Sequence, residues 1–181
     1  GLTLLTTSQI QAMPIKTDPC SAGAAGGPGR YGDFQIPNSG TCTLQPGLYV
    51  VAGHWDMKNN SVISGTGVTL YGACGATAAN ARACNPPGEP GAYIDLKNGN
   101  IGNPPGTPGL VAPTTGLFSG YAVIYDRYNT SGLNLQGNGS SNITGTVYAV
   151  QASLEFPGNS CFTVTNGPVI VGSLYGNGNT G

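Results

Sequence analysis

Short apolar runs separated by turn-forming residues make up most of this chain. Runs of Val, Ile, Leu and Tyr, bounded by Gly, Pro, Asn and Ser, are typical of short β-strands. No window carries apolar residues at i, i+3, i+4 and i+7 with good helix formers between them. The sequence therefore predicts an all-β protein, with either one helical turn or a strand in the N-terminal "SQIQAM". The predicted strands cover residues 48–51, 68–71, 93–96, 121–125, 143–150, 162–165 and 168–175.

A repeat indicates which all-β architecture to expect. An apolar residue near Asn and Gly recurs in "DMKNN", "DLKNGN", "NLQGNG" and "EFPGN", at Met57, Leu96, Leu135 and Phe156. The first two intervals are equal, and each is nearly double the third. They fit a period of about 20 residues in which one repeat is skipped in each of the first two intervals. A repeat of this length, with Gly and Asn at its corners, is typical of a β-solenoid.

The predicted fold is a single-stranded parallel β-helix, or β-solenoid, with coils of about 20 residues. We expect it to span residues 41–181, after an N-terminal capping or irregular segment at 1–40. The Pro- and Gly-rich stretches at 73–92 and 98–109 are predicted to be loops extruded from the stack. A β-sandwich is the alternative, because it also has many short strands, although it has no reason to repeat at this spacing.

Composition and charge limit the classes of partner that this chain is predicted to bind. Charged residues make up 7% of the 181, and the formal net charge is −1. Nucleic acids and anionic membranes both require clustered basic residues, so neither is predicted to bind. No run approaches the roughly 18 apolar residues of a membrane-spanning helix, and we expect no membrane contact by this segment. Since the chain starts at Gly1 without Met, we expect a mature form or part of a longer protein.

Cysteine spacing predicts two disulfides. Cys20 with Cys42, and Cys74 with Cys84, bracket loops of small residues, and no Cys-x-x-Cys suggests zinc. Cys161 is then left over and is interpreted as a small apolar residue of a strand. Two disulfides predict an extracellular or cell-surface location.

The segment "AVIYDRYN" contains an adjacent acid and base, Asp126 and Arg127. Polysaccharide-cleaving enzymes built on parallel β-helices use such residue types. Neighbouring residues on a strand nevertheless point to opposite faces, so the two cannot share one cleft on a straight strand. We interpret them as a strand-to-turn junction, in which Asp126 caps the turn and Arg127 stacks on Tyr125 or Tyr128. Both are kept as candidate ligand contacts.

The chain's one His and one Trp are adjacent, at His54 and Trp55. Aromatic rings can stack on a sugar, so both are candidate ligand contacts. A lone His without a partnered nucleophile supports no catalytic triad, and scattered carboxylates do not favour calcium. We therefore predict no catalytic residue, metal or cofactor. Four Asn-x-Ser/Thr triplets, interpreted mainly as corner residues, begin at Asn59, Asn129, Asn138 and Asn142.

Three motifs carry a resemblance to a known family: Pro-Gly-x-Tyr at 46–49, Gly-Thr-Gly-Val-Thr-Leu-Tyr at 65–71 and Gly-Thr-Val-Tyr-Ala at 145–149. Over roughly residues 41–181 the chain resembles the secreted Gly/Asn-rich β-helical region of bacterial surface proteins linked to tight-adherence (Tad) pilus assembly. The resemblance implies a structural or adhesive part at the cell surface, and it brings no catalytic residues.

The expected function is that of a non-enzymatic structural or adhesive β-solenoid. The open ends of such a stack can pair with another chain, so a homo-oligomer or surface filament is one expected assembly. A carbohydrate-binding module that contacts a surface glycan is the alternative, and a polysaccharide lyase or hydrolase is a further one.

Overall fold

The computed structural model describes residues 2–102, 108–135, 140–157 and 161–177. These described residues are all-β, with 47% in strands and 4% in helix. Helix α1 (Thr7–Ala12) precedes the strands β1 (Gly29–Tyr31), β2 (Phe34–Ile36), β3 (Thr41–Leu44), β4 (Gly47–Val51), β5 (His54–Met57), β6 (Val62–Thr66), β7 (Val68–Gly72), β8 (Tyr93–Asp95), β9 (Asn100–Ile101), β10 (Leu110–Val111), β11 (Tyr121–Tyr125), β12 (Leu133–Asn134), β13 (Ser140–Thr144), β14 (Thr146–Pro157), β15 (Cys161–Thr165) and β16 (Val169–Asn177).

The strands form three rows, and within the described residues β1 to β16 pair with one another in parallel. Row one contains β1, β4, β7, β11 and the first halves of β14 and β16. Row two contains β2, β5, β8, β12 and the second halves of β14 and β16. Row three contains β3, β6, β9, β10, β13 and β15. The antiparallel β-sandwich left open by the sequence does not fit these pairings.

The spacing of paired residues reproduces the repeat and corrects one part of it. Gly29 pairs with Tyr49, and Phe34 pairs with Trp55, so each of these steps takes about 20 residues. We expected each of the two longer intervals, from Met57 to Leu96 and from Leu96 to Leu135, to contain one additional repeat, and this prediction is wrong. β5 pairs directly with β8, and β8 directly with β12, so each long interval is one step between neighbouring strands. Inserted residues lengthen that step.

Two regions outside the row strands account for much of the extra length. Residues 73–92 separate β7 from β8 and contain the Cys74–Cys84 disulfide. In the predicted loop at 98–109, β9 joins row three, while residues 103–107 lie outside the described residues. The rows begin earlier than residue 41, because β1 and β2 already pair within them.

One apolar core lies between the three rows. Alternation along each strand turns every second residue inward, and parallel pairing places these residues over one another. In row one the buried series runs Tyr49, Leu70, Val123 and Val147. In row two it runs Trp55, Ile94, Leu133 and Leu154. The core is therefore a set of apolar ladders running the length of the stack.

Row one is covered on its outer side as well. A second apolar cluster joins Leu5 and Ile10 of the N-terminal segment to Val50, Tyr71 and Ile124 of row one. The region "SQIQAM" lies largely in α1, whose start is fixed by a capping box between Thr6 and Gln9. The N-terminal segment thus lies against the outer face of row one.

Both predicted disulfides are present, Cys20–Cys42 and Cys74–Cys84. They join sequence positions 22 and 10 residues apart. Cys161 begins β15, in row three.

Tyr125, the last residue of β11, connects row one to row two inside the core. Its ring lies against Gly72, where an added Cβ would come within 2.5 Å of the ring. Its hydroxyl donates to the carbonyl of Gly132 at 2.9 Å and accepts from the N–H of Ile94 at 2.8 Å. One buried hydroxyl therefore links two backbone segments that are distant in sequence.

We expect Tyr125→Phe to lower the free energy of unfolding by about 1–3 kcal/mol, because buried hydrogen bonds to two backbone groups are lost. Urea denaturation monitored by circular dichroism measures this change. Tyr175→Phe is the matched control, since Tyr175 is 57% exposed and should shift stability by no more than about 0.5 kcal/mol. Equal stability of the two variants would contradict the role given to Tyr125.

Candidate functional site

Polar side chains are concentrated on the outer side of row two. Because Trp55, Met57 and Ile94 point into the core, the alternating residues of the same strands point outward. Four of the seven acidic residues of the chain lie on this side or beside it: Asp33, Asp56, Asp95 and Glu155. We call this surface the row-two face.

The acids of the row-two face are aligned by the strand register. Gln35 pairs with Asp56, Asp56 with Asp95, Asp95 with Asn134, and Asn134 with Glu155. Neighbouring strands are roughly 4.8 Å apart, so this is a continuous polar ladder across five strands. Two acids in adjacent strands would repel each other unless positive charge or hydrogen bonds offset them.

Lysines two residues further along the strands provide that compensation. Lys58 Nζ lies 2.8 Å from Asp56 Oδ2, and Lys97 Nζ lies 2.9 Å from Asp95 Oδ2. Although burial acts to raise it, the pKa of Asp56 is lowered overall by Lys58 and by the hydrogen bond from Gln35 Nε2 at 2.9 Å. The hydrogen bond to Asp95 raises the pKa of Lys97. The two acids at the centre of this face are therefore each paired with a lysine.

One end of the ladder opens into a shallow cleft of about 360 Å³. Asp33, Phe34, Gln35, His54 and Asp56 line this cleft. The backbone N–H of His54 donates to Asp33 Oδ1 at 2.8 Å, which fixes the start of β5 against the turn before β2. Carboxylate and amide groups at a cleft wall can bind hydroxyl groups of a ligand.

The imidazole of His54 stacks on the ring of Tyr93, with centroids 5.0 Å apart and planes 9° from parallel. Register causes this stacking, because His54 and Tyr93 are paired residues of β5 and β8. The hydroxyl of Tyr93 donates to Glu155 Oε2 at 3.4 Å. Burial raises the pKa of Tyr93, and the nearby Asp95 and Glu155 raise it further. Tyr93 therefore stays neutral and acts as a hydrogen-bond donor.

Trp55, predicted to contact a ligand, lies instead in the core. It is 1% exposed, its rings pack against Tyr31, Phe34 and Tyr49, and its indole N–H donates to the carbonyl of Gly32 at 3.2 Å. The Trp55 side chain points inward because it alternates along β5 with the outward-pointing His54 and Asp56. A ligand on the surface cannot reach its ring, whereas it can reach the exposed His54.

Asp126 lies at the junction between β11 and a turn, as the sequence suggested. It is 4% exposed, and its carboxylate accepts from the N–H of Tyr128 at 3.3 Å and from the hydroxyl of Tyr71 at 3.1 Å. The Tyr71 hydroxyl also accepts from the N–H of Leu5 at 3.3 Å. Asp126 therefore contributes to fixing the N-terminal segment on row one.

Arg127 is exposed, and it lines a different cleft of about 290 Å³ with Leu4, Ala83, Cys84 and Asp126. The four predicted contact residues are consequently distributed between the core and two separate clefts. The structure brings His54 together with Asp33, Asp56 and Tyr93, which sequence reasoning did not select.

The pair formed by Arg82 and Glu89 is structural. Arg82 forms an ion pair with Glu89 inside the 73–92 loop, and Glu89 Oε2 also accepts from the N–H of Asn85 at 2.6 Å. Glu89 lies near the sulfurs of Cys74 and Cys84, but these are joined in a disulfide and are not free to bind a metal.

Of the four Asn triplets, Asn129 is buried. Its side chain accepts from the N–H of Gly91 at 3.0 Å and donates to the carbonyl of Ala92 at 3.1 Å, so it fixes a corner rather than offering a glycan acceptor. Asn59 is exposed, Asn142 is half-buried, and Asn138 lies outside the described residues.

Comparison with known proteins gives no relative: no protein-family model, curated protein or solved structure matches this chain. Among the described residues, no helix has the length and apolar character needed to cross a membrane.

Burial raises the pKa of Asp126 above its ordinary value of 3.8, and outweighs the hydrogen bonds from Tyr128, Cys84 and Tyr71 that lower it. The folded state therefore binds this proton more tightly than the unfolded state does. Asp126 costs stability increasingly as pH rises from about 3.8 through the raised pKa. We expect Asp126→Asn to gain stability relative to the parent across this window, as measured by urea midpoints at successive pH values.

Glu89→Gln is the control, because its stability relative to the parent should change with pH in the opposite direction. Hydrogen bonds from Arg82, against some opposition from burial, lower the pKa of Glu89, so its contribution is present above its ordinary pKa and is lost as pH falls. Relative to the parent, Glu89→Gln should lose stability as pH rises. Parallel pH profiles for the two variants would contradict both assignments.

Proposed function

We propose that this protein is a non-catalytic, extracellular structural β-solenoid. The observation that carries this proposal is the spacing of partners in all three rows. Thr41 pairs with Val62 in row three at the same sequence spacing as Phe34 with Trp55 in row two. Strands that return to the same row after about 20 residues, or after a longer interval where residues are inserted, are successive coils of one parallel β-helix.

The disulfides support the extracellular part of the proposal. Disulfides persist in oxidising compartments, and this chain contains two, each closing a short loop. The resemblance of residues 46–49, 65–71 and 145–149 to Tad-related surface proteins agrees with a structural or adhesive role. The acids of the row-two face are engaged by Lys58, Lys97 and Tyr93, which suits a stable surface better than proton transfer.

A solenoid contacts only its neighbouring coils, so it should unravel one coil at a time when pulled from its two ends. We expect force spectroscopy to show extension steps of about 70 Å for coils of about 20 residues, at about 3.5 Å per residue, and longer steps for the coils that contain inserted residues. Reduction should add about 100 Å in total, because loops of 22 and 10 residues are then released.

Cys74→Ser combined with Cys84→Ser is the matched control, and should add about 35 Å without reductant. Unfolding of the whole chain in a single step, with no coil-sized intervals, would contradict the solenoid.

Carbohydrate binding at the row-two face is the second candidate, and the His54–Tyr93 stack beside the cleft favours it. The cleft places aromatic edges beside carboxylate and amide groups, the combination that suits a ring with several hydroxyls. Beyond the cleft the ladder continues through Asp95 and Asn134, which are buried, so the accessible part of the site is the cleft itself.

We expect the protein to bind a subset of polysaccharides on a glycan array, and His54→Ala to weaken that binding by about tenfold, the equivalent of about 1.4 kcal/mol. Arg127→Ala is the control, since Arg127 lines another cleft and its loss should change nothing. Binding that depends on Arg127 and not on His54 would contradict this site. Cleavage of any bound polymer would contradict the non-catalytic assignment.

A further inference from the structure

The cleft on the row-two face has an unequal balance of charge. Two carboxylates, Asp33 and Asp56, are among its described lining residues, and no Lys or Arg is. Lys58, beside the cleft, is paired with Asp56 at 2.8 Å. With His54 counted as neutral at pH 7, the cleft therefore keeps one negative charge without a partner, that of Asp33.

The carboxylate of Asp33 is held in place without being neutralised. Its Oδ1 accepts from the backbone N–H of His54 at 2.8 Å, the one hydrogen bond that the described residues make to this side chain. Gly53 packs against the same oxygen so closely that an added Cβ would clash with it. Because Asp33 is exposed and lines the cleft, its second oxygen, Oδ2, is available to a ligand.

The basic residues of the neighbouring segments have partners of their own. Lys16 and Arg30 donate to backbone carbonyls at 2.7 Å and 2.9 Å, and Lys97 is paired with Asp95 on the next strand of row two. Within the described part of the chain, Asp33 consequently forms no ion pair. A cationic group of a ligand placed at Asp33 would gain a charge-assisted hydrogen bond that no residue of the protein already makes.

The rest of the cleft favours a sugar as the carrier of that cation. Four of its five lining residues are polar, so it lacks the apolar groove that anchors an amphipathic peptide. The His54–Tyr93 stack beside it offers aromatic surface to a sugar ring, and the amide of Gln35 can bind hydroxyl groups. Its volume of about 360 Å³ is near the lower limit for small-ligand sites, which suits about one or two sugar rings.

We propose that the cleft binds sugars that carry a free amine, with the ammonium group on Asp33 and ring hydroxyls on Gln35 and Asp56. This inference rests on the carbohydrate binding proposed above and names the class of sugar. An N-acetylated sugar has the same ring without the positive charge, and a uronate carries a negative charge that Asp33 repels. The affinity should therefore fall from the amine to the N-acetylated sugar to the uronate.

Calorimetric titration tests this order with three probes: oligomers of glucosamine, the same oligomers fully N-acetylated, and oligomers of a uronic acid. At a pH at which the glucosamine amines are protonated, we expect them to bind at least about threefold more tightly than the N-acetylated oligomers. This difference should shrink at high salt, because salt screens exposed charges. Equal affinities, or tighter binding of the uronate, would overturn the amine preference and leave carbohydrate binding intact. Failure of all three probes to bind would overturn both.

Asp33→Asn is the decisive variant. Asn keeps an oxygen that can accept from the N–H of His54, so the variant should retain the circular dichroism spectrum of the parent. We expect it to lose the preference for glucosamine and to bind the N-acetylated oligomers as the parent does.

Asp18→Asn is the matched control for Asp33→Asn. Its carboxylate also accepts from a backbone N–H, that of Cys20 at 2.9 Å, but Asp18 is not among the residues that line the cleft. The two variants change the net charge equally, and Asp18→Asn should keep the preference for glucosamine. Loss of the preference in Asp18→Asn would overturn its assignment to Asp33.

Lys58→Gln gives a test in the opposite direction. It removes the cation paired with Asp56, so a second carboxylate of the cleft loses its partner. The preference for glucosamine should rise by at least about twofold, a gain that partial unfolding cannot produce. An unchanged or smaller preference would overturn the proposal. A lysine-rich peptide that binds the parent as tightly as glucosamine oligomers, and loses that binding in Asp33→Asn, would overturn the sugar in favour of a cationic peptide.

Discussion

Parallel, in-register pairing is the constraint on which this molecule depends, since it places each side chain over its equivalent one strand away. Inside, this makes ladders of apolar residues such as Tyr49, Leu70 and Val123. Outside, it brings Asp56 over Asp95, an arrangement that would be repulsive without Lys58 and Lys97 beside them. The packed core and the ionic surface therefore have the same geometric origin.

The three rows differ in what covers them, and this divides the surface. Strands β4, β7 and β11 of row one are buried from both sides, because Leu5 and Ile10 of the N-terminal segment pack on their outer face and Asp126 connects to that segment through Tyr71. On the row-two face His54 is exposed and Asp56 is partly exposed, whereas Asp95 and Asn134 of the ladder are buried, so a ligand can reach this face at the His54 end.

The sequence predicted the all-β class, both disulfides and the longer apolar strands, but not the register between strands. β3, "TCTL", and β5, "HWDM", were not recognised, because their outward positions are polar and their runs are short. The aligned motifs did contain Asp56, Asp95, Asn134 and Glu155 in one column. The long spacing between the first three concealed that these residues are neighbours, since a period alone does not distinguish a skipped coil from a coil lengthened by an insertion.

Trp55 and Asp126 show how the unknown strand positions and contacts affect predictions for individual residues. Trp55 alternates with His54 and Asp56 along β5. Once β5 is identified, this alternation predicts that the Trp55 side chain points into the core. The burial of Asp126 could not be derived in this way, because it depends on contacts with Tyr71 and, through it, with an N-terminal segment that is remote in sequence.

The disulfides also bear on how the chain acquires its bonds. Each joins consecutive cysteines, the first to the second and the third to the fourth. During synthesis from the N-terminus, Cys42 therefore follows Cys20, and Cys84 follows Cys74, with no other cysteine of this sequence between the two partners, and Cys161 follows these four. The native disulfides follow the order of the cysteines in the sequence. Oxidation of each pair as it is synthesised would therefore form the native disulfides without rearrangement of mispaired ones.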